Sequence, residues 1–145
     1  MQDNIQPVCV PKFLAQPLPV DTEIFVTGYG KTAGGASMSL LKEIKLKVSS
    51  YTECLSTYES TLPVSGVFCA TPVITGEDTC IGDGGSPALT YDTTTNKFTI
   101  VGINVGGSND CSGLKPLVFI DITIYREWLR KTSNGCCDLL GSRLG

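Results

Sequence analysis

A glycine-rich stretch near the middle of the chain holds the residues best suited to chemistry. Residues 79–87 read Thr-Cys-Ile-Gly-Asp-Gly-Gly-Ser-Pro, and the chain contains no histidine. A serine hydroxyl becomes a nucleophile when a base, most often imidazole, takes its proton. Ser86 therefore has no such base within this sequence, and a cysteine nucleophile would lack the neighbour that lowers a thiol pKa.

Other kinds of chemistry find less support. The sequence has no C-x-x-C pair for zinc, its acids are scattered, and the glycines of residues 82–85 do not lead into a predicted helix as a phosphate loop would. The net charge of −3 comes without a run of Lys or Arg, which argues against nucleic acid and membrane partners. We expect no metal and no cofactor.

The cysteine content indicates where the protein works. Seven cysteines in 145 residues, with no histidine, favour disulfides in an oxidising compartment, so we expect a secreted protein. Residues 1–5 have neither the basic start nor the apolar core of a signal peptide. We therefore expect either that a segment precedes this sequence or that Met1 is not the natural start.

Short β-prone runs separated by turn residues dominate the sequence and predict an all-β barrel or sandwich. The clearest alternation is in residues 42–48, where Ile44, Leu46 and Val48 would face a core and Lys45 and Lys47 would face water. Residues 93–96 predict a hairpin turn. The six predicted strands are 23–29, 42–48, 66–71, 87–91, 97–105 and 117–122.

Two helices are predicted. Ser50 and Glu53 fit a capping box, in which each side chain satisfies a free backbone N–H of the other, so a helix is expected near residues 50–58. The second helix is expected at residues 122–131. Its apolar residues Ile122, Tyr125 and Leu129 would lie on one face.

These features together resemble the second β-barrel of the trypsin/chymotrypsin-like serine proteases. The resemblance runs from about residue 4 to residue 131 and rests on segments in a fixed order: Asn-Ile-Gln-Pro-Val-Cys-Val-Pro at 4–11, Gly-Tyr-Gly at 28–30, Asp-Thr-Cys-Ile-Gly-Asp at 78–83, Ile-Val-Gly-Ile at 100–103, then Cys111, Pro116 and Trp128. It implies a six-stranded barrel with a terminal helix. The implied organisation is an interbarrel connector at 1–22, the barrel and helix at 23–131, and a cysteine-containing tail at 132–145.

The resemblance also implies a pattern of disulfides. Two are internal: Cys54 to Cys69 and Cys80 to Cys111. A third family disulfide is missing, because Ile24 and Thr90 stand at its two positions.

Three cysteines remain for other bonds. Cys9 resembles the family cysteine that bonds to a light chain or pro-segment, so a first barrel or light chain is implied as a partner. Cys136 and Cys137 fall outside the family pattern, and they could bond to a partner chain, to Cys9, or to another molecule.

The nucleophile loop departs from the family pattern. Family members read Gly-Asp-Ser-Gly-Gly-Pro where residues 82–87 read Gly-Asp-Gly-Gly-Ser-Pro, which puts Gly84 at the nucleophile position. Ser86 lies roughly 6 Å further along an extended chain, whereas attack geometry tolerates about 1 Å. Gly82 and Gly84 match the oxyanion-hole donors. Asp83 matches the acid that pairs with a new N-terminus after activation cleavage, or alternatively caps a loop.

The substrate pocket implied by the resemblance is also altered. Asp78 matches the carboxylate that binds basic side chains, or is simply a hydrated acid. Leu117 replaces a glycine that lines the pocket. Residues 104–107, Asn-Val-Gly-Gly, replace Val-Ser-Trp-Gly, so Val105 and Gly107 occupy former wall positions and Gly106 removes the wall tryptophan.

We therefore expect a non-catalytic serine protease homologue that is secreted and acts by binding. With Gly84 at the nucleophile position and Cys9 in the connector, the sequence resembles the clip-domain serine protease homologues of arthropod immunity. Those proteins are cofactors or adaptors in cascades such as prophenoloxidase activation. One alternative is a fragment of an active trypsin-like endopeptidase that uses Ser86. Another is a free-standing binding module that begins at Met1.

The mass of the native protein tests the expected second chain. We expect an unreduced mass well above the 15.4 kDa of this sequence and a large drop on reduction, because Cys9 or the Cys136 and Cys137 pair would release a partner. Intact mass spectrometry of protein from its natural source measures this. An unreduced mass near that of this chain would favour the free-standing module.

Overall fold

The described part of the chain folds into a closed antiparallel β-barrel. The computed structural model describes residues 8–11, 17–31, 40–58, 65–75, 79, 81–107 and 111–132. Six strands close in the order β1–β2–β3–β6–β5–β4. They are β1 Glu23–Gly28, β2 Lys42–Val48, β3 Val67–Pro72, β4 Pro87–Asp92, β5 Lys97–Gly106 and β6 Leu117–Asp121. The predicted all-β barrel is confirmed, and every predicted strand boundary lies within one residue of the observed one.

The barrel interior is filled by the inward-facing residues of alternate strand positions. In β2 the predicted alternation is confirmed, with Ile44, Leu46 and Val48 buried and Lys45 and Lys47 exposed. The buried core comprises Ile24, Val26, Ile44, Leu46, Val48, Ala70, Ala88, Val101, Leu117 and Phe119. Small side chains at positions 70 and 88 leave space for the large ones that face them.

The first helix, α1, spans Tyr51–Tyr58. It begins after Ser50, whose hydroxyl oxygen accepts the Glu53 N–H at 3.2 Å, so the predicted cap is present. A disulfide from Cys54 to Cys69, with Cα atoms 5.8 Å apart, ties α1 to β3.

The second predicted helix is divided in two. A 3-10 turn at Ile122–Tyr125 precedes the helix α2 at Arg126–Thr132. The Asp121 carboxylate accepts both the N–H and the hydroxyl of Thr123, at 2.9 and 2.6 Å, which tightens the chain immediately after β6. Ile122 of the predicted apolar face is buried, but Tyr125 is 47% exposed.

The hairpin between β4 and β5 turns at residues 93–96, as predicted. Hydrogen bonds from the Thr95 hydroxyl and the Thr94 N–H hold the pKa of Asp92 below its usual value. Asn96 takes the left-handed conformation, with φ of 56°, which asparagine tolerates better than most residues.

The connector and the barrel meet at β5. Cys9 forms a parallel bridge with Thr99; its N–H donates to the Phe98 carbonyl and its carbonyl accepts the Ile100 N–H, each at 3.0 Å. Among the described cysteines, Cys9 has the free thiol.

The positions of the missing family disulfide lie side by side. β1 pairs with β4 so that Phe25 faces Leu89 and Val26 faces Ala88. The same register places Ile24 opposite Thr90. Two cysteines at these positions would be cross-strand neighbours, which supports the residue matching on which the resemblance rests.

Removing a phenylalanine ring should lower the free energy of unfolding strongly inside the barrel and only slightly outside it. Phe119 is fully buried and stacks on Phe68 with ring centroids 5.2 Å apart, so Phe119→Ala should lower the free energy of unfolding by about 3–5 kcal/mol. Phe98 is 44% exposed, and Phe98→Ala should lower it by about 1 kcal/mol. Urea denaturation of both variants measures this, and equal losses would contradict the assigned core.

Candidate functional site

The predicted nucleophile loop is held on one side by residues 28–31. The Gly30 N–H donates to Asp83 Oδ1 at 2.8 Å, and the Lys31 N–H donates to the Ile81 carbonyl at 3.0 Å. A Cβ atom at Gly28 or Gly30 would overlap the Asp83 carboxylate. The absence of side chains at these two positions therefore makes room for a carboxylate that is only 8% exposed.

The backbone of β5 holds the other side of the loop. The Gly85 N–H donates to the Asn104 carbonyl at 2.8 Å, and the Asn104 N–H donates to the Ser86 carbonyl at 2.9 Å. The Ser86 N–H in turn donates to the Asp83 carbonyl at 3.1 Å. The end of the loop is thus fixed before the chain enters β4.

The Asn104 side chain adds contacts that the sequence did not predict. Its Nδ2 donates to Thr79 Oγ1 at 3.0 Å and to the Asp83 carbonyl at 3.4 Å, and its Oδ1 accepts the Gly106 N–H at 3.1 Å. Asn104 is 3% exposed. An amide within the otherwise apolar run of residues 98–105 is the signal that could have identified it, because a buried amide needs partners.

Gly84 lies where the resemblance places the nucleophile. A Cβ atom built on Gly84 would meet no heavy atom of the described residues within 4 Å, and glycine supplies no reacting group. Ser86 lies at the far end of the loop, half-buried, with its N–H and carbonyl both engaged. The structure therefore keeps Ser86 in the approach to β4.

The resemblance matches the backbone N–H groups of Gly82 and Gly84 to the donors of an oxyanion hole. The N–H groups of Gly82 and Gly84 make no hydrogen bond to any residue that the structure describes. Gly82 has a φ of +105°, a conformation that side chains disfavour. Both glycines lie in exposed positions of the loop.

The resemblance assigns residues 105–107 and Leu117 to a substrate pocket, and the structure places some of them in the core and others at the surface. Leu117 is fully buried within the barrel core, and a Cβ atom at Gly107 would overlap its side chain. Val105 is 50% exposed. A Cβ atom at Gly106 would meet nothing within 4 Å. The Leu117 side chain therefore lies directly beside position 107. Among the described residues, no atom lies beside position 106.

Some of the predicted site residues cannot be placed. Asp78, Cys80, Cys136 and Cys137 lie outside the described residues. Cys111, the predicted partner of Cys80, is disulfide-bonded.

A cavity of about 460 Å³ lies away from the nucleophile loop. Leu18, Val48, Phe68 and Ile124 contribute to its lining, and no residue of the loop does. In the described parts of the chain, no group of three or more His, Cys, Asp or Glu could hold a metal ion. No helix in those parts has the length and hydropathy needed to cross a membrane.

Comparison with known proteins gives a consistent result. The family model described as Trypsin matches residues 1–129. Ovochymase of Halocynthia roretzi is 31% identical over 131 residues, which are 90% of this chain and 8% of that protein. The clotting factor G beta subunit of Tachypleus tridentatus is 30% identical, over 92% of this chain and 46% of that protein. Transmembrane protease serine 11G of Mus musculus is 34% identical, over 90% of this chain and 32% of that protein. The chain thus spans less than half the length of these relatives.

The fit between Asp83 and its glycines can be tested by substitution. Gly30→Ala should lower the free energy of unfolding by about 1–3 kcal/mol, because the new methyl group overlaps a buried carboxylate. Gly84→Ala should change it by less than about 0.5 kcal/mol, because that position is open. Thermal and urea denaturation measure both. In the Asp83→Ala background, Gly30→Ala should cost much less than it does in the unaltered protein, and strict additivity of the two substitutions would contradict the predicted overlap.

Proposed function

The chain belongs to the trypsin family of serine proteases, and we propose that it is a non-catalytic member that acts by binding other proteins. The observation that carries this proposal is Gly84, which occupies the place of the nucleophilic serine in the family motif. Glycine has no group that can attack a carbonyl carbon, and covalent catalysis in this family begins with that attack.

The state of the pocket supports the same conclusion. Leu117 replaces a glycine and is fully buried, and the Asn104 amide bridges Thr79 and the Asp83 carbonyl. We take both side chains as replacing parts of the pocket that the resemblance implies. An exchanged nucleophile and an altered pocket would be separate changes, and each alone would impair proteolysis.

Exposed apolar residues near the loop support a binding role. Tyr29 is 61% exposed and Ile81 is 65% exposed, and the Lys31 to Ile81 hydrogen bond brings their two segments together. Leu41 is 55% exposed and precedes Lys42, which pairs with Gly28 beside Tyr29. We propose that these side chains contribute to a contact with another protein.

We further propose that the protein is extracellular and covalently attached to a second chain. The Cys54–Cys69 disulfide is typical of an oxidising compartment, and Cys9, which has a free thiol, lies beside β5. A first barrel or a light chain, bonded through Cys9, is the proposed partner. The proposed role is that of a cofactor in an extracellular proteolytic cascade such as prophenoloxidase activation.

A second candidate function is proteolysis by a longer protein that contains this chain and uses Ser86. The observation in its favour is the accessible pair of N–H groups at Gly82 and Gly84, which could still stabilise an oxyanion. Against it, Ser86 is displaced from the nucleophile position and its backbone is fixed at the entry to β4.

A fluorophosphonate probe, which labels activated serine hydroxyls, distinguishes the two candidates. We expect no labelling of the native protein, including any chains attached to it, because Gly84 offers no hydroxyl. Labelling followed by intact mass spectrometry measures this. Labelling that disappears in Ser86→Ala would overturn the proposal and establish the protease.

The control for this experiment is an active trypsin-like protease treated in parallel. The variant Gly84→Ser extends the test, because the open space at that position accommodates the added side chain. If the upstream chain supplies a histidine and an aspartate, this variant should gain labelling while the native protein stays unlabelled.

A further inference from the structure

We propose that the cavity lined by Leu18, Phe68 and Asp121 is a binding site for a small amine, a molecule that joins an aromatic or aliphatic body to one ammonium group. The cavity has a volume of about 460 Å³, and none of the described residues of the nucleophile loop lines it. Cavities of this size commonly hold small ligands. The inference goes beyond the proposed function and does not depend on whether the loop is catalytic.

Apolar side chains supply most of the cavity wall. Val48 of β2 and Cys69 of β3 are buried, and Phe68 of β3 adds a half-buried ring. Val20 and Ile124 also line the cavity and are 57% and 46% exposed. A ligand with an apolar body would remove this surface from water on binding, which favours the complex.

Backbone hydrogen bonds join the segments that line the cavity. The Ser49 N–H donates to the Cys69 carbonyl at 2.8 Å, and the Asp121 N–H donates to the Gly66 carbonyl at 2.9 Å. The Cys54–Cys69 disulfide ties α1 to the same wall. Because the walls are joined before any ligand arrives, binding costs little conformational freedom of the protein.

Asp121 gives the cavity its charge, since it is the one charged residue among the described residues of the lining. Its Oδ1 accepts the N–H and the hydroxyl of Thr123. Its Oδ2 forms no hydrogen bond or ion pair with any residue that the structure describes.

This charge selects among ligands with the same apolar body. A carboxylate beside apolar walls attracts an ammonium group and repels an anion. Hydrogen bonds from an ammonium group to a carboxylate are also stronger than those between neutral groups. An amine is therefore favoured over the corresponding alcohol, and both are favoured over the corresponding acid.

Three indole compounds of similar size test the inference on the full 145-residue chain: tryptamine, an amine; tryptophol, a neutral alcohol; and indole-3-acetate, an anion. Tryptamine should bind with a dissociation constant of about 1 mM or lower. The other two should bind at least about tenfold more weakly, because neither has an ammonium group.

NMR titration measures these affinities residue by residue. Tryptamine should shift the backbone amides of Ser49, Gly66 and Thr123 and should leave those of Thr94 and Thr95 unshifted. The inference is overturned if the first three amides do not shift at up to about 10 mM tryptamine, or if tryptophol binds as tightly as tryptamine.

Asp121→Asn isolates the charge. The asparagine keeps an oxygen acceptor for Thr123 but carries no charge, so the affinity for tryptamine should fall by about tenfold or more. The affinity for tryptophol should change by less than about threefold. An unchanged affinity for tryptamine, or an equal loss for both compounds, would contradict a role for the carboxylate and overturn the inference.

Val20→Arg tests the same site with Asp121 in place, should Asp121→Asn fail to fold. Position 20 is exposed, and an arginine there would compete with the ligand for the carboxylate, so the affinity for tryptamine should fall by about tenfold. Val73→Arg is the matched control, because Val73 is 45% exposed and does not line the cavity. It adds the same charge and should change the affinity by less than about threefold. Equal effects of the two variants would overturn the inference.

Discussion

The burial of the Asp83 carboxylate is the constraint around which the site is arranged. A buried carboxylate must have hydrogen-bond donors and room, and here the Gly30 N–H supplies a donor while glycines at 28 and 30 supply the room. The Asp83 carbonyl on the same residue receives the Ser86 N–H and the Asn104 amide. The path of the loop follows from these contacts, because each one fixes a different part of it.

This dependence explains how the loop can keep its shape when side chains of the family motif are exchanged. The features that remain belong to the backbone: the accessible N–H groups of Gly82 and Gly84 and the turn that leads into β4. The features that changed are side chains, above all Gly84 and Leu117. Backbone geometry is supported by the whole barrel, whereas a single side chain can be exchanged without disturbing its neighbours. A family scaffold can therefore keep its backbone geometry while the side chains of its motif change.

The sequence predicted the strands well because a two-residue alternation is a local signal, as Ile44, Leu46 and Val48 illustrate. It predicted the second helix less well, because the break at its start depends on how the Asp121 carboxylate turns towards Thr123. The assignment of Gly84 to the nucleophile position comes from the motif and stays a prediction. The role of Asn104 was not, because its partners at 79 and 83 are brought to it only by the closed barrel.

The bridge between Cys9 and β5 gives the connector a mechanical connection to the site. Cys9 is hydrogen-bonded at Phe98 and Ile100, and Asn104 lies further along the same strand, roughly 20 Å from Phe98 at the usual rise per residue. Because a strand paired within a barrel is stiff along its axis, tension on a chain tethered through Cys9 would be carried along β5 towards the residue that braces the loop. A pull on any partner bonded to Cys9 would then reach the loop through β5.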